Sequence, residues 1–225
     1  MGRMEKRAGR RGVSPLLVLA VVLLAGVLVT GGVLAWQVWG TTALSARAAE
    51  RETAALRASW AGQPAPTSDP SSAPIVDPPA HGEAAWLLRI PALDGEWPVI
   101  AGVGGDELAR GVGWYSGSAL PGQVGNFALA GHRISHGEPF RRLLELKAGD
   151  EVIVETGAAT FTYTLVSAPG DLTVQADDSW VLDPVPGHPD QVPTQALLTL
   201  TTAEDLVPTP DRAVGFGTLT KTETP

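Results

Sequence analysis

The sequence predicts a mainly β domain, closed as a barrel or packed as a sandwich, carried behind one transmembrane helix. Three observations lead there. A basic cluster runs straight into a long uncharged apolar stretch near the N-terminus. From residue 84 onward, short β-type runs alternate with Gly/Pro/Asn/Asp turn signals. Helical periodicity in that second region is confined to two short pieces, and many strands with few helices argue for a closed β architecture.

Residues 1–12 hold Arg3, Lys6, Arg7, Arg10 and Arg11 against Glu5, a local charge of +4. No charged residue follows until Arg47. At about 1.5 Å per residue, the apolar run over 15–35 spans roughly 30 Å, the thickness of a bilayer core. The expected layout is a cytoplasmic basic tail over 1–12 and a transmembrane helix over 13–36. The N-terminus faces the cytoplasm because positive charge stays inside, and Trp36 and Trp39 sit at the outer interface. A cleaved signal peptide is the rival reading, but the nearest small-residue site, Ala46-Arg47-Ala48, lies too far beyond the apolar run.

Residues 37–85 read as a helical stalk and a Pro-rich linker. The stalk, over 43–60, is rich in Ala, Arg and Glu and continues as a helix out of the membrane. Prolines at 64, 66, 70, 74, 78 and 79 then impose an extended spacer that cannot bury a core.

The folded domain is expected over 86–225, with strands at 86–90, 97–103, 126–130, 150–156, 160–167, 195–202 and 213–219. The pair 150–156 and 160–167 reads as a hairpin around Gly157-Ala158. Within it Phe161, Tyr163 and Leu165 alternate with Thr160, Thr162 and Thr164, the period of a half-buried strand. Helical pieces are expected at 106–110 and 139–146.

Composition excludes several chemistries. There are no cysteines, so disulfides, thiolate metal sites and cysteine nucleophiles are ruled out together. Residues 86–225 carry 8 Lys/Arg against 18 Asp/Glu, a net −10 that repels a phosphate backbone and argues against nucleic-acid partners. The four histidines are His81, His132, His136 and His188. His132 and His136 stand four apart in GHRISHG, but the glycines make this a loop, and no convergent acidic partner points to a metal. No cofactor or metal is expected.

The segment ALPGQVGNFALAGHRISHGEPFRRLLELKAGDEVIVET, then SWVLDPVPG, then LLTLTTAEDLVPTPDR resembles the sortase family, in particular class E sortases of high-GC Gram-positive bacteria. The resemblance covers the whole predicted domain. It implies an eight-stranded β-barrel on the outer face of the membrane. It also implies a transpeptidase that cuts a sorting signal of LAxTG or LPxTG type between Thr and Gly and joins it to an amine of the cell-wall precursor. In such enzymes a cysteine thiolate attacks the peptide carbonyl, a histidine exchanges protons with the leaving and incoming amines, and an arginine steadies substrate and oxyanion.

Carried over by position, the histidine is His132 and the arginine is Arg212. The family cysteine directly follows the TLTT run, and here that residue is Ala203, followed by Glu204 and Asp205. Acidic neighbours would raise the pKa of a thiolate, opposite to what the chemistry needs, so the altered loop points to natural loss of the nucleophile. Tyr115, in GWYSGSALPG, matches a tyrosine implicated in reading the second residue of the signal, or else covers the barrel. Thr202 is the second candidate substrate contact, although strand alternation turns it away from position 203. Trp180 is expected to pack. Three readings stay open: a pseudo-sortase that keeps the groove, an ordinary class E sortase with its cysteine substituted, and an envelope scaffold. The partners implied are a sorting-signal peptide, a cell-wall precursor amine and the membrane.

Overall fold

The computed structural model describes residues 15–35, 40–61, 76–205 and 209–224. The basic tail, Trp36, Trp39 and the linker prolines 64, 66, 70 and 74 lie outside the described residues. The chain divides into two units, Met1–Gln37 and Val38–Pro225.

The first unit contributes one helix, α1 (Pro15–Ala35), whose Leu16, Leu23, Val27 and Leu28 are exposed. Among the described residues no helix is long and apolar enough to cross a membrane. The span expected over 13–36 includes residues outside the described set, so it is carried forward as a proposal.

The second unit opens with α2 (Thr41–Ala61). A helix was expected here, but not its docking. Arg57 forms a forked pair with Glu96 at 2.8 and 2.7 Å, Glu52 accepts from Arg110 at 2.7 Å, and Leu56 is buried. The Ala-rich face that read as a solvated stalk therefore lies along the β domain.

Among the described residues nine strands follow: β1 (Ala84–Ile90), β2 (Gly95–Ala101), β3 (Val112–Trp114), β4 (Gly125–Ala130), β5 (Glu151–Glu155), β6 (Thr160–Ser167), β7 (Thr173–Gln175), β8 (Ala196–Ala203) and β9 (Asp211–Glu223). Their order is β6-β5-β1-β2-β3-β4-β8-β9-β7, and β6 also pairs with β9. That last pairing closes eight strands into a barrel, while the short β7 hangs from β9 outside the ring. The pairs β2–β3 and β4–β8 are parallel and the rest antiparallel. Closure leaves no free edge among those eight strands, which removes a liability of open sheets.

The barrel is filled from alternating positions. On β8, Leu198 and Leu200 face inward and are fully buried. Trp86 sits edge-on to Trp114 and Phe127 at 5.4 and 5.6 Å. The Tyr163 hydroxyl accepts from the Gly122 amide at 2.8 Å, and burial pushes its pKa up to about 12. The 157–158 hairpin forms as expected.

The outward face of β8 is covered as well. Asn126 donates to the carbonyls of Val181 and Asp183 at 3.0 and 3.1 Å and accepts from Thr199 at 2.7 Å, pinning the VLDPVPG loop against β4 and β8. Trp180 packs beside Phe216 in a small cluster with Val174, Val181 and Val214, as expected. The helical pieces are shorter than predicted. The first is a single turn, α3 (Gly105–Leu108). Over 139–146 only a 3-10 turn, Leu143–Glu145, forms, because the Phe140 amide bonds back to the His132 carbonyl at 3.0 Å and its ring is drawn into the core.

Candidate active site

Strand register brings the candidate residues together. β4 and β8 run parallel with Ala130 beside Thr201, so His132, two residues past the end of β4, and Ala203, the last residue of β8, come to the same end of the sheet. β9 returns antiparallel with Arg212 opposite Ala203. His132, Ala203 and Arg212 thus form a row across three adjacent chain segments, and together with Tyr115 and Thr202 they line one cavity of about 350 Å³. Its remaining wall includes Val103, Leu108, Ile134 and Ala176, an apolar surface suited to small side chains of an extended peptide.

The turn carrying His132 is tightly held. The Gly131 amide donates to the Thr201 carbonyl at 3.2 Å, and Thr202 Oγ1 donates to the Gly131 carbonyl at 2.8 Å. Thr202 therefore touches the cavity, yet its hydroxyl proton is engaged in fixing the turn. A β-carbon on Gly131 would come within 2.6 Å of the Phe140 ring, so only glycine lets the chain pass there.

Burial, reinforced by His136, holds the pKa of His132 below the ordinary histidine value. The two imidazoles stack at 4.8 Å and 27°, and His136 Nδ1 lies 2.8 Å from Ser135 Oγ. Burial raises the Tyr115 pKa, and the charge of Arg212 opposes that rise. Arg212 Nη1 donates to the carbonyls of Thr209 and Asp211 at 2.8 and 2.9 Å, which orients the guanidinium.

The site thus offers a neutral imidazole, an oriented cation and a phenol around a methyl group. Such an arrangement is suited to polarising a carbonyl placed beside it, while the Ala203 methyl offers no atom that could attack. Among the described residues no three His, Cys, Asp or Glu side chains gather as a metal would require. His81 pairs with Glu107 at 3.4 Å, away from the lining of this cavity.

Sequence reasoning missed three features here. One is the stack of His136 on His132, for which the four-residue spacing was the available signal. The others are Arg133 Nε and Glu204 Oε2, both buried without a hydrogen-bond partner among the described residues. Asp205, by contrast, is exposed and accepts from Thr209 at 3.0 Å.

Comparison with known proteins shows the family of the domain. The sortase domain family matches residues 88–220. Sortase SrtE1 of Streptomyces coelicolor is 33% identical over 221 residues, which cover 90% of this chain and 58% of that protein, so the chain spans little more than half the length of this relative. The structure of sortase E from Streptomyces avermitilis is 34% identical, with a TM-score of 0.58 over 64% of this chain and 93% of that one. A crystal structure of sortase E1 from Streptomyces coelicolor with a tripeptide in its active site is 33% identical, with a TM-score of 0.57 over 64% of this chain and 94% of that one. The chain belongs to the sortase family, and its likeness is to the class E members.

Proposed function

We propose that this protein is a membrane-anchored pseudo-sortase that holds sorting-signal peptides without transferring them. The observation that carries the reading is the row His132–Ala203–Arg212, complete except for the nucleophile. A signal peptide lying in the cavity would set its Thr carbonyl over the Ala203 methyl, with Arg212 polarising the oxygen and His132 beside the scissile nitrogen. No thioester can form there, and in a protease loss of the nucleophile alone costs on the order of a millionfold in rate. Thr202 cannot substitute, because its hydroxyl is bound to Gly131. The tripeptide held in the active site of the Streptomyces coelicolor relative supports a peptide as the ligand class.

The anchoring half of the proposal rests on the basic tail and the apolar run. The exposed leucines and valines of α1 are suited to lipid. The barrel would then work on the outer face of the membrane, where the signals and the cell-wall precursor amine are found.

The test uses the full chain in detergent micelles and a fluorescent LAxTG peptide. Anisotropy should show saturable binding that weakens about 10- to 100-fold in Arg212→Ala, the range for a charge-assisted hydrogen bond. Binding that is absent, or indifferent to Arg212→Ala, would replace this reading with that of an envelope scaffold.

A further inference from the structure

Four successive residues beside the site share a left-handed backbone: Ser135, His136, Gly137 and Glu138 have φ of 65, 51, 79 and 50°. Three of them carry side chains, for which this region is unfavourable, and such a run persists only where the surroundings hold it. Within the loop, the Glu138 amide bonds to the Ser135 carbonyl at 3.1 Å, and the Glu138 carboxylate accepts from the Ser135 amide at 3.3 Å and pairs with Arg141. The Phe140 amide, bonded to the His132 carbonyl at 3.0 Å, closes the loop from behind, and the start of α2 flanks its other side. A β-carbon position on Gly137 lies 3.5 Å from Ser45 Cβ and 3.6 Å from the Ala46 amide nitrogen, and Ser45 is 6% exposed. The first turns of α2 thus lie alongside the loop that carries His136, near enough that a methyl group added to Gly137 would just touch them, while Glu52 and Arg57 clasp the helix to Arg110 and Glu96.

We propose that α2 is a positioning element for the active site: its packing beside Gly137, with Ser45 buried there, holds residues 135–138 in the conformation that stacks His136 on His132, and undocking α2 releases the stack. This deepens the reading of the cavity as a peptide site, since His136 shields one face of His132 only while α2 is docked. His136 and Gly137 also line a second cavity, of about 400 Å³, between α2 and the barrel, so the loop is the wall shared by helix and site.

The test needs no peptide, so its failure is distinct from failure of the binding reading. Glu52→Arg with Arg57→Glu sets like charges against Arg110 and Glu96. Amide exchange in α2 should accelerate about tenfold or more, as expected for local opening, while strand amides stay protected. The inter-ring NMR cross-peak between His132 and His136 should be lost. Adding Glu96→Arg and Arg110→Glu should restore both signals, which a general loss of stability would not do. Released helix with intact stacking overturns the proposal. If the reversed charges leave α2 docked, Ser45→Trp decides, because it wedges the Gly137 contact itself. Loss of the cross-peak in that variant supports the proposal, and an unchanged cross-peak overturns it.

Discussion

Ala203 and Arg212 face each other across the antiparallel pair β8–β9, the last residue of one strand opposite the second of the other. Directly opposed residues project to the same side of a sheet. Both side chains line the same cavity as His132. On the proposed reading, Ala203 marks the position where the family's thiolate would stand.

The Tyr115–Arg212 relationship can be read by titration, since the chain has two tyrosines. Phenolate absorbance should rise in two steps. Tyr115 ionises first, above the ordinary value of 10.0, and Tyr163 follows at about 12. Arg212→Ala removes the charge that opposes the rise of Tyr115, so its step should move still higher while that of Tyr163 stays put. A fall in the Tyr115 step would contradict the arrangement.

For His132, the folded protein disfavours the proton, chiefly through burial and then through His136. The unfolded chain takes up that proton near pH 6.5, so on this account stability is fullest above that value and declines as pH falls through the lowered folded pKa. His136→Ala should raise the His132 midpoint in NMR titration without returning it to 6.5, because the larger cause persists. A midpoint that does not move would mean the two rings do not interact in solution.

Asn126 offers a stability test away from the site. It is 1% exposed and joins β4 to Thr199 and to the carbonyls of Val181 and Asp183. Asn126→Leu should cost about 2–4 kcal/mol, because buried acceptors lose their donors. Thermal unfolding would measure this, and proteolysis should find the 179–191 loop sooner than in the parent. A cost near zero would show that the loop is held by its apolar cluster alone.

Much of this site was legible in the sequence, for reasons that can be named. The alternation in β6 marks its inward face, and the GHR turn and TLTT strand end point to His132 and Ala203, which the fold brings to one cavity. What stayed hidden depends on distance. Arg57 and Glu96 meet across 39 residues, so nothing local to the stalk signals that it is clasped to the β domain. β3 and β7 have three residues each, too few to show a period. The helix expected over 139–146 lost to tertiary packing, since a buried Phe140 anchors the segment before a helix can propagate. Stacking of His136 on His132 needs an unfavourable backbone that no local propensity favours.

The most direct measurement compares the parent chain with Ala203→Cys, each incubated with an LAxTG peptide and read by mass spectrometry. The parent should neither cleave the peptide nor gain mass. Ala203→Cys should gain the mass of the acyl group ending in Thr, because His132 and Arg212 are already in register. Acylation should be slow, since Glu204 and Asp205 follow immediately and disfavour the thiolate, and faster once these two are replaced by Asn and Pro. Turnover by the parent that vanishes in His132→Ala would contradict the account from one side. A folded Ala203→Cys that is never acylated would contradict it from the other, by showing that more than the nucleophile has been lost.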